Sequence, residues 1–308
     1  MKTILVTGSN GLLGQKITAA CAGNPAFRLI ATSRGADRYQ GYAHYIYASL
    51  DLLDAAGVKE VLDTYRPQVV IHTAAMTNAD TCAEQPEACR ALNVAVVADL
   101  VTNCRSIGAH LIYLSTDFVF DGEQGPYGED DEPNPLSVYG ASKLAAERLV
   151  SAMQGSWSVV RTVLVYGVLP DMSRSNIVLW AKESLEKKKK IQVVNDQWRS
   201  PTLAEDLAAA CLEIAKRKLC GIYHVSGPEF LSVAAFVRRV AAFWELDESL
   251  ITEVSSAAFV QPARRPARTG FRLDKARTDF SYQPHGIEEG LAIVDRQLKA
   301  ISGENISA

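Results

Sequence analysis

The sequence predicts an α/β fold in which helices cover a doubly wound parallel sheet, together with a smaller C-terminal lobe. Three observations lead to this prediction. Short apolar runs alternate with amphipathic helical segments through the first half of the chain, which is typical of parallel sheets. The first run, residues 2–7, ends in a glycine-rich turn. The length of 308 residues exceeds the roughly 250 residues that one hydrophobic core usually supports.

Composition excludes several classes of protein. Apolar residues make up 48% of the chain and charged residues 22%, as in ordinary globular proteins. The net charge of −3 predicts no general attraction to nucleic acid or to membranes. The six cysteines are scattered without the spacing of metal ligands, so we expect neither a metal site nor a disulfide framework. Residue 1 leads directly into a strand and no apolar run reaches 18 residues, so we expect no signal peptide and a cytoplasmic location.

The glycine-rich turn after the first strand predicts a dinucleotide site. Gly8, Gly11 and Gly14 follow the strand and precede a helix over residues 15–22, which is the context of a Rossmann-like nucleotide-binding motif. In that motif the glycines allow a tight turn, close approach to a pyrophosphate, and close packing of the helix on the strand. The predicted cofactor contacts in this turn are Gly8, Asn10, Gly11, Leu12, Leu13 and Gly14.

The residues that follow the second predicted strand, residues 27–32, indicate which dinucleotide is bound. Ser33 and Arg34 stand where an acidic residue would accept a hydrogen bond from the ribose of NAD. An arginine there suits the 2′-phosphate of NADP, and we interpret Ser33 and Arg34 as the phosphate contacts. The sequence therefore predicts NADPH, with NADH as the alternative.

The rest of the first half continues the alternation of strands and helices. The predicted elements are strands over residues 42–48, 69–75 and 109–114 and helices over residues 53–65 and 85–106. Further cofactor contacts are predicted at Leu50, Asp51, Ala74, Ala75 and Thr77. His72 lies inside a buried strand, so we interpret it as a core histidine rather than a catalytic one.

A tyrosine and a lysine four residues apart begin the helix after a turn-rich acidic loop, residues 118–135. Tyr139 and Lys143 share one helical face, and an ammonium close to a phenol favours the phenolate. The spacing therefore predicts that Lys143 lowers the pKa of Tyr139 towards neutral pH, so that the tyrosine can give or take a proton. The alternative is an exposed helical turn that carries both residues by chance.

The second half supplies the predicted C-terminal lobe. Its predicted elements are a strand over residues 157–166, a polar loop over 171–176, helices over 177–190, 203–216 and 233–244, and a late strand over 221–227 that rejoins the main sheet. Four lysines end the first of these helices, where cations complement its negative end. We predict a dinucleotide-binding domain over residues 1–168, rejoined by 191–228, and a substrate-binding lobe over 169–190 and 229–308.

Three arginines lie among prolines between residues 261 and 268. Guanidinium groups bind phosphate oxygens through paired hydrogen bonds, and prolines stiffen a loop that must present them. We therefore predict that this segment binds a diphosphate, chiefly through Arg265, with Arg199 and Arg268 as weaker candidates. The alternative is scattered surface charge.

Four segments carry a further signal: the glycine turn, Ala74-Ala75, the stretch from Ser115 to Gly122, and the stretch from Tyr139 to Lys143. Together they resemble the dTDP-4-dehydrorhamnose reductase family of the extended short-chain dehydrogenase/reductase superfamily. By this resemblance Thr116, Tyr139 and Lys143 match the catalytic positions, and Asp117 matches a substrate contact. Asn176 is either the N-cap of its helix or a substrate contact. Ser115 is an alternative hydroxyl donor, although neighbouring side chains of a strand point to opposite faces.

The resemblance implies NADPH-dependent reduction of the 4-keto group of a dTDP-linked 6-deoxysugar, with dTDP-4-dehydrorhamnose as the first candidate. Tyr139 would donate the proton, Thr116 would hydrogen-bond the carbonyl oxygen, and Lys143 would hold the nicotinamide ribose. Two alternatives stay open: a nucleotide-sugar epimerase or dehydratase of the same superfamily, and a binding role like that of the regulatory subunit of methionine adenosyltransferase. The sequence is also compatible with a homodimer.

Overall fold

The computed structural model of the chain describes residues 1–39, 41, 44–170 and 175–303. The strands are Lys2–Thr7 (β1), Phe27–Ser33 (β2), Ile46–Ser49 (β3), Val69–His72 (β4), His110–Thr116 (β5), Trp157–Thr162 (β6), Val165–Tyr166 (β7), Ile191–Val194 (β8), Trp198–Arg199 (β9), Thr202–Leu203 (β10), Gly221–His224 (β11), Leu231–Ser232 (β12), Ile251–Val254 (β13) and Arg268–Thr269 (β14). The α-helices are Leu12–Ala22 (α1), Ala55–Tyr65 (α2), Ala79–Glu84 (α3), Pro86–Arg90 (α4), Val96–Ile107 (α5), Val138–Ser151 (α6), Ile177–Glu186 (α7), Ala204–Arg217 (α8), Val233–Phe243 (α9), Asp274–Phe280 (α10) and Ile287–Ser302 (α11).

The main sheet confirms the predicted fold class. In the described part of the chain it has seven strands in the order β11-β6-β5-β4-β1-β2-β3, and every neighbouring pair is parallel. The order reverses beside β1, as in doubly wound dinucleotide-binding sheets. Strand β11 joins the sheet at its edge, as predicted for the late strand.

Successive positions of the buried parallel strands are apolar. Because neighbouring side chains of a strand point to opposite faces, apolar side chains cover both faces of this sheet. Within β1, Ile4 and Val6 belong to one hydrophobic cluster and Leu5 belongs to a cluster on the opposite face. Strand β4 repeats this alternation. The carboxyl ends of the parallel strands therefore lie at one edge of a rigid sheet, where side chains from distant segments can meet.

The prediction of one strand over residues 157–166 is wrong. Strand β6 ends at Thr162, and Leu164 adopts a left-handed conformation with φ of +40°. The chain then turns away from the sheet, and β7 pairs in parallel with β10 instead. Periodicity did not reveal this break because residues that favour strands continue on both sides of it.

Two predicted helices have different bounds. Helix α7 ends at Glu186, so the four lysines follow the helix instead of forming its last turn, and Lys188 has φ of +56°. The long helix predicted from residue 85 begins at Pro86 and continues to Ile107, with a π-helical segment at Ala91–Ala95 between α4 and α5. The third strand begins at Ile46; residues 42–43 and 171–174 of the predicted elements lie outside the described residues.

Smaller sheets organise the second half of the chain. Strands β12, β9 and β14 form a three-stranded sheet, and β13 pairs with β8. Helices α7, α9 and α11 contribute to a third hydrophobic cluster. The division into a dinucleotide-binding domain and a substrate-binding lobe stays a prediction. No helix within the described residues is long and apolar enough to cross a bilayer.

Candidate functional site

The carboxyl edge of the main sheet holds a cavity of about 660 Å³. It reaches from the glycine turn after β1 to the start of helix α6, so the two motifs singled out in the sequence share one cleft. Its volume is in the range of small-molecule and cofactor sites. The predicted site residues that line it are Gly8, Asn10, Gly11, Leu12, Leu13, Gly14, Ser33, Arg34, Ala75, Thr77, Thr116, Asp117, Tyr139, Lys143 and Asn176.

The glycine turn presents backbone N–H groups to this cavity. Gly11 is the N-cap of helix α1, and no side chain caps the first turn of that helix, so its N–H groups are available to an anion. Gly8 has φ of +73°, a conformation that favours glycine. A Cβ on Gly14 would lie 2.3 Å from the carbonyl oxygen of Gly8, so only glycine lets the helix begin this close to the turn. This geometry fits the predicted pyrophosphate cradle.

Asn10 and Tyr47 hold the loop that follows β2. Asn10 Nδ2 donates to the carbonyl of Ala36 at 2.9 Å, and Asn10 Oδ1 accepts from the backbone N–H of Arg38 at 3.0 Å. The Tyr47 hydroxyl donates to the carbonyl of Gly35 at 2.8 Å. The glycine turn therefore fixes the loop that forms the neighbouring wall of the cavity.

Arg38 is a cavity residue that the sequence analysis missed. It lines the cleft together with Ser33 and Arg34, so two guanidinium groups lie where one was predicted. The available signal was a second arginine four residues after Arg34. Local pattern did not place it because the backbone path between the two arginines depends on the contacts of Asn10.

Helix α6 packs closely on the segment that follows β5. Ser137 caps the helix by accepting from the N–H of Gly140 at 3.1 Å. A Cβ at Gly140 would lie 2.1 Å from the carbonyl oxygen of Phe118, so a glycine is required at this contact. The close approach brings the Tyr139 side chain into hydrogen-bonding contact with Thr116.

The predicted lowering of the Tyr139 pKa by Lys143 is wrong. Burial raises the pKa of the Tyr139 phenol well above its usual value, and the hydrogen bond with Thr116 only partly opposes this. Lys143 Nζ donates instead to the carbonyl of Leu114 at 2.6 Å and lies 4.1 Å from the centroid of the Tyr113 ring. Tyr139 is therefore a buried phenol that holds its proton, and it is not part of an exposed helical turn.

Strand geometry separates the two candidate hydroxyls. Ser115 donates a short hydrogen bond to Glu147 Oε1, whereas Thr116 donates to Asp117 Oδ1 at 3.1 Å and accepts from the N–H of Phe118 at 3.2 Å. Thr116 also contacts Tyr139. The preference for Thr116 over Ser115 as the hydroxyl beside the tyrosine agrees with these contacts.

Asp117 is the centre of a buried cluster that joins β5 to the three-stranded sheet. Its Oδ2 accepts a short hydrogen bond from Thr269 on β14 and lies 3.5 Å from Nε of Arg199 on β9. Burial raises the pKa of the Asp117 carboxyl, while Arg199, Thr269 and Thr116 oppose that shift. Since Asp117 also accepts from Thr116, the cluster fixes the hydroxyl of Thr116.

Three predicted cofactor contacts, Leu50, Asp51 and Ala74, lie outside the cavity lining. Leu50 is buried, Asp51 accepts from the N–H of Leu53 at 3.0 Å, and Ala74 packs beneath the glycine turn.

Asn176 lines the cavity and also caps α7, because its Oδ1 accepts from the N–H of Val178 at 3.1 Å. Both interpretations of Asn176 therefore remain compatible with the geometry.

The three arginines predicted to bind a diphosphate lie outside the cavity lining and contact other residues of the protein. Arg265 forms a two-point ion pair with Asp80, at 2.6 and 3.1 Å. Arg199 is 4% exposed and donates to the carbonyl of Pro266 at 2.8 Å. Arg268 packs over Trp198, 4.9 Å from the ring centroid. Diphosphate binding by these residues stays a prediction, and Arg265 would have to exchange Asp80 for phosphate.

His72 has the contacts of a core histidine. Its Nδ1 lies 2.7 Å from the hydroxyl of Thr7, its ring stacks on Tyr113, and burial lowers its pKa to about 3. It therefore stays neutral at physiological pH. Within the described ranges, no three His, Cys, Asp or Glu side chains are grouped as metal ligands.

We predict that Thr269→Val destabilises the protein by about 1–3 kcal/mol, because the buried Asp117 carboxylate loses a hydrogen-bond donor. Denaturant unfolding would measure the change. Thr252→Val, at an exposed position of β13, is the matched control and should change the free energy of unfolding by less than about 0.5 kcal/mol. Equal effects of the two substitutions would contradict the assigned role of Thr269.

Comparisons with known proteins agree with this geometry. The model of the family described as "RmlD substrate binding domain" matches residues 1–299. The "Methionine adenosyltransferase 2 subunit beta" of Xenopus tropicalis is 34% identical over 257 residues, which are 82% of this chain and 75% of that protein.

Two solved structures also align along nearly the whole chain. A dTDP-4-dehydrorhamnose reductase of Clostridium acetobutylicum is 29% identical with a TM-score of 0.85, and the alignment covers 96% of this chain and 99% of that one. A dTDP-4-dehydrorhamnose reductase of Bacillus anthracis, solved in complex with NADP, is 27% identical with a TM-score of 0.83, over 96% and 100% of the two chains. The resemblance predicted from the motifs is therefore confirmed, and the chain belongs to the RmlD substrate binding domain family of the extended short-chain dehydrogenase/reductases.

Proposed function

We propose that this protein is an NAD(P)-dependent oxidoreductase that reduces the 4-keto group of a nucleotide-linked 6-deoxysugar, with NADPH as the preferred cofactor and dTDP-4-dehydrorhamnose as the first candidate substrate. One observation carries the proposal. Thr116, Tyr139 and Lys143 line the same cavity as the glycine turn, so a proton donor lies in one cleft with a cradle for a dinucleotide. The enzyme class agrees with relatives whose names describe reductases.

The cavity fits a nicotinamide dinucleotide on the features of this chain. The uncapped N-terminus of α1 provides N–H groups for the pyrophosphate. Arg34 and Arg38 provide cations for a 2′-phosphate at the neighbouring wall. When bound, NADPH supplies the hydride that reduces the carbonyl carbon.

Tyr139 acts as the general acid in this proposal. Burial raises its pKa, so the phenol carries its proton at neutral pH and can donate it to the carbonyl oxygen as negative charge develops there. Thr116 lies beside it and donates a hydrogen bond to the same oxygen. That donation requires Thr116 to turn its proton from Asp117 Oδ1 towards the substrate.

Lys143 provides the positive charge of the site. Burial lowers its pKa to about 7, so a large fraction of the side chain is ammonium at neutral pH. One donor is used by the carbonyl of Leu114; the two remaining N–H donors can hold the hydroxyls of the nicotinamide ribose. The ammonium also stabilises the phenolate that forms when Tyr139 has given up its proton.

Substrate contacts are proposed at the opposite wall of the cavity. Asp117 and Asn176 line it and offer polar groups to a sugar. Arg199, Arg265 and Arg268 lie outside the cavity lining, and Arg265 becomes available to a diphosphate only if its pair with Asp80 opens. The hydrogen bonds from Arg265 lower the pKa of Asp80, so Asp80 is ionised and competes with phosphate.

We expect Arg34→Ala to raise the KM for NADPH by about tenfold or more, because a charge-assisted contact to the 2′-phosphate is lost. The KM for NADH should change far less. Arg38→Ala should act in the same direction, and Arg28→Ala, at an exposed position of β2, is the matched control. Equal changes for NADPH and NADH would remove the assignment of NADPH specificity.

Tyr139→Phe should lower kcat by about 100-fold or more, since a general acid contributes that much, while the dissociation constant for NADPH stays within about twofold of the wild type. Stopped-flow turnover and cofactor fluorescence would measure the two quantities. Tyr65→Phe, on helix α2 away from the cavity, is the matched control. Retained turnover in Tyr139→Phe would refute the mechanism.

A second candidate function is a non-catalytic subunit of another enzyme. The observation that favours it is the 34% identity to a protein named as a subunit of methionine adenosyltransferase. The presence of Thr116, Tyr139 and Lys143 in one cavity favours turnover.

The deciding experiment follows NADPH oxidation with dTDP-4-dehydrorhamnose beside its uridine and guanosine analogues. Oxidation with the thymidine compound alone would support the proposed substrate, and oxidation with another base would change the nucleotide but keep the reductase. No oxidation with any of them would favour the subunit function. NAD that stays bound through purification would favour an epimerase or dehydratase.

A further inference from the structure

Glu147 is a buried carboxylate to which neither the sequence motifs nor the proposed mechanism gave a role. It lies one helical turn after Lys143 on helix α6 and is 2% exposed. Residues four apart share one face of a helix, so the carboxylate and the ammonium are neighbours inside the protein. A charged group in such a place needs partners to offset the loss of hydration.

Two strands of the main sheet supply these partners. Arg161 on β6 is 2% exposed, and its Nη2 and Nε donate to Glu147 Oε2 at 2.7 Å and Oε1 at 3.0 Å. Ser115 on β5 donates a short hydrogen bond to Oε1. The single carboxylate of Glu147 therefore joins helix α6 to both strands. Its contact on β5 is Ser115, the residue that precedes Thr116.

The network continues away from the cavity and is fixed at its far end. Arg161 Nη1 lies 3.3 Å from His224 Nε2, and His224 Nδ1 lies 3.1 Å from the carbonyl of Tyr127. The Arg161 guanidinium lies 5.1 Å from the centroid of the Phe120 ring. Burial and the charge of Arg161 lower the pKa of His224, so His224 is neutral and Arg161 is the cation of the network.

Lys143 faces several titratable groups besides Glu147. They are Tyr113 on β5, His72 on β4, and Cys82 and Cys89 from the helices packed against α6; Tyr139 shares its face of helix α6 by the four-residue spacing. His72 stays neutral, and burial raises the pKa values of Tyr113, Tyr139 and Cys82. Glu147 accepts hydrogen bonds from two nitrogens of the Arg161 guanidinium, and it opposes the lowering of the Lys143 pKa by burial.

We infer that Glu147 is a positioning residue, which fixes helix α6 on β5 and β6 and presents to Lys143 the negative charge that compensates the buried ammonium. The inference rests on the proposed function, in which Lys143 acts as an ammonium. Lys143 and Arg161 are both buried; Glu147 forms an ion pair with Arg161 and lies one helical turn from Lys143. Glu147 acts on Lys143 from outside the cavity lining, which includes Lys143 but not Glu147.

The test is the pH dependence of NADPH binding and turnover in Glu147→Gln. In the wild type, the ammonium is lost as pH rises through a pKa of about 7. Removal of the Glu147 charge lowers that pKa further, so NADPH affinity and kcat/KM should both begin to fall at a pH lower by about one unit. The double variant Glu147→Gln/Arg161→Met removes the uncompensated guanidinium as well, and it should show the same shift if the single variant fails to fold.

Two controls separate charge from packing. Ser115→Ala removes a hydrogen bond to Glu147 but keeps its charge, so the midpoint of the pH profile should not move even if kcat falls. Glu183→Gln, an exposed position of α7, makes the same chemical change elsewhere and should leave the profile and the activity unchanged. The inference is overturned if the Glu147 variants lose turnover while the pH midpoint stays at the wild-type value.

A third measurement needs neither cofactor nor substrate, so it separates failure of this inference from failure of the proposed function. Unfolded Lys143 holds its proton up to a pKa of about 10.5, whereas the folded group releases it above about 7. Between these values the unfolded state binds more protons, so the stability of the wild type should rise with pH, relative to Lys143→Met. In Glu147→Gln this rise should start at a lower pH, and an unchanged onset in thermal unfolding would also overturn the inference.

Discussion

The buried carboxylate of Asp117 is the constraint on which the geometry of the site depends. It joins the carboxyl end of β5 to β9 and β14 through Arg199 and Thr269, and it orients the hydroxyl of Thr116. Two groups of elements from distant parts of the chain therefore share one hydrogen-bonded centre beside the cavity. Buried charges of this kind are costly unless they are fully paired, so any shift of the three-stranded sheet would be transmitted to Thr116.

Burial also decides the proton chemistry of the cavity. The same physical cause raises the pKa of the Tyr139 phenol and lowers that of the Lys143 ammonium, because desolvation disfavours the charged form of each. The raised pKa of Tyr139 suits a reductase, because the general acid must hold its proton until charge develops on the substrate. Glu147 limits the shift of Lys143 from below the cavity floor, where it does not meet the ligand.

Family membership does not by itself establish the activity of this protein, so the activity must be argued from the residues of the site. Relatives of similar resemblance are named as reductases and as a subunit of another enzyme, which agrees with the general finding that one fold hosts several functions. In this chain the glycine turn and a protonated tyrosine line the same cavity. That juxtaposition is the physical reason to expect turnover.

The sequence by itself determined the parallel sheet, the glycine turn on its first strand and the placement of Tyr139 and Lys143 on one face of a helix, because each is a local pattern of spacing and side-chain type. The family resemblance indicated Thr116 over Ser115, and strand alternation predicted only that the two side chains point to opposite faces. The predicted bounds of β6 and α7 were wrong, because strand-forming residues continue past the end of β6 and lysines continue past the end of α7.

Only the tertiary structure decided which charges meet. Asp117 and Thr269 are 152 residues apart in the sequence, and Asp80 and Arg265 are 185 residues apart. No local pattern could therefore pair them. The same holds for the direction of the Tyr139 pKa, which depends on burial by distant segments and not on the spacing to Lys143. The sequence thus determined which chemical groups line the cleft, whereas the packing of remote segments decided which of them are charged, protonated or already bound to a partner.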